Sequence, residues 1–91
     1  MTKKVIHRNF FPGDLDLLME LGGLVDEEYA ARGDMREALF MGHVCTEENS
    51  AYFRSGQNLE RLGYVWSDDV TNFFISRKGY KLYRELKIRL N

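Results

Sequence analysis

NLERLGYVWSDDVTNFFISRKGYKLYREL, residues 58–86, decides the fold. Leu59 and Leu62 end a helical stripe that stops at Gly63. Tyr64-Val65-Trp66 and Phe73-Phe74-Ile75 are β-rich runs. The residues between them, 67–72, are polar apart from Val70, so the two runs read as a hairpin. Successive strand residues face opposite sides, which sends Phe73 and Phe74 to different faces. Ser76 then caps a last helix with Tyr80, Tyr83, Leu86 and Leu90 inward.

Upstream of the hairpin the chain reads as helices. Leu18, Leu21, Val25 and Tyr29 recur at helical spacing after Asp14, a cap candidate. Gly22-Gly23 predicts a break or bend in that helix, or a meeting of two helices, because glycine weakens a helix interior. Gly33 stands just past its end. Asp34 and Glu37 have capping-box spacing, and Met35, Ala38 and Leu39 form the stripe of a second helix ended by Gly42-His43. Thr46 is the next cap, with Glu47-Glu48 at the positive end of a third helix whose inner stripe is Tyr52, Ser55, Leu59 and Leu62. Residues 3–11 alternate loosely up to Pro12-Gly13, as a short strand or a basic arm over residues 1–13.

With 91 residues, 44% hydrophobic and 13% aromatic, the chain suits one domain, residues 1–91, with a core rich in rings. A single proline and the lack of low-complexity tracts argue against disorder. Cys45 is the only cysteine, so no intrachain disulfide and no cysteine zinc site can form; it reads as a small half-buried hydrophobe. No apolar run is long enough for a membrane span, and the start MTKKVIHRNFFPG lacks the apolar stretch of a signal peptide. The expected location is the cytoplasm.

The order helix, helix, hairpin, helix resembles the winged helix-turn-helix transcription regulators over about residues 34–86. Two phrases carry the resemblance. Leu59-Glu60-Arg61-Leu62-Gly63-Tyr64-Val65 is similar to the end of a recognition helix running into the wing, and Ser76-Arg77-Lys78-Gly79 to the exit from it. The resemblance implies an α+β winged helix, with three to four helices and a two- or three-stranded wing. Residues 34–42 would be the scaffold helix and 46–62 the recognition helix.

By that resemblance the recognition helix would lie in the major groove. Asn49 and Arg54 suit adenine and guanine edges; Ser50, Gln57, Asn58 and Arg61 would reach bases or phosphates, and Arg77 and Lys78 phosphates. The charge pattern points elsewhere. The formal net charge is -1. Glu47, Glu48, Asp68 and Asp69 would face the duplex where phosphate contacts supply most non-specific affinity. The clustered cations are Lys3, Lys4, His7 and Arg8 in the arm, and Arg77, Lys78, Lys81, Arg84, Lys87 and Arg89 along the last helix.

The alternative is a protein-interaction module, an adaptor or inhibitor of phage type. Glu47, Glu48, Asp68 and Asp69 would meet a basic protein, with Phe53, Trp66 and Phe74 as apolar anchors. A homodimer contact would use the same rings. The plainer reading of those rings is an edge strand whose outer side packs on the N-terminal arm.

Catalysis is not expected. His7, His43 and Cys45 lack metal-ligand spacing, and His43 beside Cys45 has no orienting group. Gly22-Gly23 and Gly56 match no phosphate-cradling loop. Glu47 and Glu48, adjacent on a helix, would not face each other. No metal, cofactor or membrane is expected, and the partner is DNA or a protein.

Overall fold

The computed structural model describes residues 9–69 and 71–90, without the side chain of Leu90. The basic arm of Lys3, Lys4, His7 and Arg8, the loop residue Val70 and the inward side chain expected of Leu90 lie outside the described residues. Within them the order is α1 (Asp14–Arg32), α2 (Met35–Met41), β1 (His43–Cys45), α3 (Ala51–Arg61), β2 (Val65–Ser67), β3 (Asn72–Ile75) and α4 (Arg77–Leu90). Four helices and a three-stranded antiparallel sheet make a small α+β domain whose layout is compatible with a winged helix.

The hairpin forms where the sequence places it. Val65 pairs with Ile75, Trp66 with Phe74 and Ser67 with Phe73. The sheet order is β1-β3-β2, so β3 is the central strand and not an edge. On its other side His43 pairs with Phe74 and Val44 with Phe73. Phe73 is fully buried in the core with Leu17, Leu21, Leu59, Ile75 and Leu86. Leu62 is only half-buried and stands outside that core, because α3 ends at Arg61 and the chain is already turning there. Leu82 is a further buried position of α4.

Gly22-Gly23 neither breaks nor bends α1, which runs unbroken for 19 residues. The tertiary contact overrides the local weakness. A Cβ on Gly22 would collide with the ring of Tyr83, nearest its Cγ, so the missing side chain is the slot that lets α4 pack against α1. A Cβ on Gly23 would meet no other part of the fold within 4 Å among the described residues. The helix starts differently from its sequence reading too. Gly13 holds the cap position in a left-handed conformation, and Asp14 is the first helical residue, fully buried. Its Oδ2 accepts from the Phe11 N–H at 2.9 Å and from Asn58 Nδ2 at 2.5 Å.

The other caps follow the sequence. Gly33 takes φ 73° and donates its N–H to the Tyr29 carbonyl. Asp34 accepts from the Glu37 N–H at 3.1 Å. Ser76 Oγ accepts from the Gly79 N–H at 3.0 Å and donates to the Gly63 carbonyl at 2.8 Å. A Cβ on Gly79 would collide with the Tyr64 carbonyl. The Ser76-Arg77-Lys78-Gly79 phrase is therefore a clamp, fixing the start of α4 against the end of α3.

Between α2 and α3 the chain departs from expectation. The third helix begins at Ala51, not at Thr46, and Ser50 caps it by accepting from the Phe53 N–H at 3.1 Å. Strand β1 and a turn fill residues 42–50, where a helix-turn-helix has a turn of about 3–4 residues. Thr46 is drawn onto the sheet: its N–H and Oγ1 both donate to the Thr71 carbonyl, at 2.8 and 3.2 Å. Cys45 is exposed on β1 rather than half-buried.

Candidate interaction surface

The residues expected to read DNA are dispersed in role. Arg54 and Gln57 are exposed one turn apart on α3. Asn49 is exposed in a left-handed turn at φ 68°, and its carbonyl accepts from Arg54 Nη2 at 3.3 Å. Ser50 is occupied as a cap. Asn58 cannot be a reader: it is 5% exposed and donates to Asp14 and to the Asn9 carbonyl. Arg61 is exposed, but its Nη2 donates to Asn58 Oδ1. Lys78 Nζ donates to the Leu62 carbonyl at 3.0 Å and lies 4.8 Å from the Tyr64 ring centroid, so it closes the C-terminus of α3. Arg77 is exposed at the start of α4.

The acidic residues are arranged more compactly than the sequence implies. Glu47 and Glu48 are not in a first helical turn but in the turn after β1, where the Ser50 N–H donates to the Glu47 carbonyl. Because Thr46 bonds to Thr71, that turn lies beside the loop carrying Asp68 and Asp69. All four carboxylates therefore belong to one end of the sheet.

Of the anchors, Phe53 is buried at 7% exposure against Phe73, with ring centroids 6.3 Å apart, so it belongs to the core. Trp66 and Phe74 form part of an aromatic row on the outer face of the sheet. The register His43, Phe74, Trp66 crosses all three strands on one side. Trp66 stacks on Phe74 at 4.2 Å and 10°. Phe40, from the end of α2, stacks on Phe74 at 5.6 Å and reaches Trp66 at 6.4 Å. The His43 ring lies 5.2 Å from Phe74. Phe74 is thus covered by its neighbours, while Trp66 is 39% and Phe40 60% exposed. Among the described residues helix α2 supplies the cover, through Phe40; most of the arm invoked for it lies outside them.

Phe40 is absent from the sequence-derived candidates. The signal is there: it falls off the Met35, Ala38, Leu39 stripe, so a large ring on a seven-residue helix had nowhere to go but outward. Met41 beside it is also exposed, and Arg32 and Arg36 line a shallow groove with both.

A second polar cluster joins α1 to α4. Asp26 accepts from Tyr80 Oη, from Tyr83 Oη at 2.7 Å and from Lys87 Nζ at 3.1 Å. Burial alone would raise the Asp26 carboxyl, but these hydrogen bonds and the Lys87 charge outweigh it and hold it below its ordinary value. Burial first, then the bond to Asp26, pushes Tyr83 up to about 12. The same causes raise Tyr80, with the Arg84 guanidinium opposing. Every donor here is used to latch the two helices, which takes Lys87 out of the exposed basic face of α4.

Among the described residues no group of three His, Cys, Asp or Glu side chains stands as a metal site, and no helix is long and apolar enough to cross a membrane. No protein-family model, curated protein or solved structure matches the chain.

Proposed function

We propose that the protein is a non-catalytic binding module that contacts another polypeptide through the outer face of its sheet. The observation that carries this reading is the row of stacked rings with Phe40 and Trp66 open to solvent. Large exposed rings are costly to leave in water, and Trp is among the residues that most often dominate interface energy. The four carboxylates at the end of the sheet oppose approach of a phosphate backbone and favour a cationic protein surface.

The second reading is a winged-helix DNA-binding regulator. Its support is the exposed pair Arg54 and Gln57 on α3, with Arg77 exposed at the start of α4. Against it stand the strand in place of the tight turn, and the use of Asn58, Arg61 and Lys78 inside the fold. Selection from a random duplex library, repeated at rising salt, separates the two. The polypeptide reading predicts no enriched sequence and loss of residual binding by physiological salt. Enrichment of a defined site, with binding weakened by Arg54→Ala, would replace it with the DNA reading.

A further inference from the structure

We infer that the occupant of the outer sheet face is a second copy of this chain, the two sheets meeting face to face about a two-fold axis. The inference rests on the reading of that face as a polypeptide contact and names the partner.

The charge along the strands is the basis. At one end lie Glu47 and Glu48 after β1, and Asp68 and Asp69 between β2 and β3, held together by Thr46 on the Thr71 carbonyl. At the other end β3 runs into Arg77 through Ser76, and α2 enters β1 with Arg36 one turn before Phe40. Arg36 has no ion-pair partner among the described residues. The aromatic row lies between the two ends.

A two-fold interface must be self-complementary: if one residue meets a second, the second meets the first. An axis lying between the two sheets, perpendicular to the strands and passing above Phe74, reverses the strand direction and keeps each strand over its own counterpart. It lays each exposed Trp66 against the second copy's Trp66. It also sets the acidic end of each copy on the basic end of the other, twice. A uniformly basic partner would match the carboxylates but meet Arg36 and Arg77 at the far end, and a uniformly acidic one would fail in the opposite way. Only a few rings are exposed, well short of the roughly 800 Å² per partner of a standard interface. The dimer is therefore weak, with a Kd on the order of micromolar, and sensitive to salt.

Sedimentation equilibrium of the full chain tests this with two charge-reversed variants. One is Glu47→Lys, Glu48→Lys, Asp68→Lys, Asp69→Lys; the other is Arg36→Glu, Arg77→Glu. Wild type should dimerise at low salt, with Kd rising about tenfold or more on going to physiological salt. Each variant alone should be monomeric. An equimolar mixture should form a heterodimer, since every reversed contact then pairs opposite charges, and its formation shows that both variants fold. Phe40→Ser with Trp66→Ser should abolish wild-type association. A wild type that stays monomeric at every concentration reached, or a mixture that associates no better than its components, overturns self-pairing. If a photo-crosslinker at position 66 of that monomer then joins a different polypeptide, the contact surface stands and only its occupant was wrong; if it joins none, both fall.

Discussion

Asn58 reads in the sequence as a residue that would reach bases or phosphates from the expected recognition helix. Its neighbours decide otherwise. Asp14 is fully buried, its Oδ2 accepts from Asn58 Nδ2, and its Oδ1 has no hydrogen-bond partner among the described residues. Asn58→Ala removes a donor from a buried carboxylate and should cost about 1–3 kcal/mol in urea unfolding, with no change in any binding activity. A neutral stability effect would mean that Asp14 is held by other means. Asp26 and Tyr83 make the stability of the domain pH-dependent at both extremes. Asp26 titrates lower in the folded chain than in the unfolded one, so its contribution is complete above the unfolded pKa and is lost as pH falls through the folded value. Tyr83 goes the other way: its contribution is complete below pH 10 and is lost as pH rises from there to about 12. Tyr83→Phe should flatten that alkaline loss when melting temperature is followed against pH. An unchanged alkaline slope would sever the link. None of these partners was legible in the sequence, since each pairing joins residues far apart in the chain.

At the scale of elements, the hairpin, the α2 cap and the clamp at Ser76 were all legible, because each is written in adjacent residues. The continuity of α1 was not. Gly22-Gly23 carries the same local signal whether a helix breaks there or another helix presses against it, and only the Tyr83 ring distinguishes the cases. The two glycines should therefore respond oppositely. Gly23→Ala should stabilise by about 0.5–1 kcal/mol through helix propensity. Gly22→Ala should destabilise by about 1–3 kcal/mol through overpacking. Equal effects would show that α4 does not press on α1 at Gly22. Strand β1 escaped notice because three residues are too few for alternation to show, and its partner strand lies far along the chain. Carrying the stripe of the third helix on to Leu62 misplaced that residue, because the helix ends at Arg61. Leu59→Ala should cost about 2–5 kcal/mol as a fully buried truncation, and Leu62→Ala clearly less. Chemical denaturation of the pair checks the ordering, and equal losses would put Leu62 back in the core.

For the whole molecule, the sequence revealed which charges and rings were unusual but not that they share a face. Phe74 and Trp66 pointed outward as read; Phe53 did not, since its ring packs on Phe73 in the core. The carboxylates, read as lying apart on the third helix and in the hairpin loop, converge when β1 pairs with β3. The central claim is that this sheet face, and not the outer side of α3, meets the partner. Both positions are exposed and distinct, so a photo-crosslinking amino acid placed at Trp66 in one variant and at Gln57 in another tests it directly in the producing cell. The polypeptide reading predicts a protein adduct from position 66 and none from position 57. Nucleic acid crosslinked at position 57, with position 66 unreacted, would contradict it.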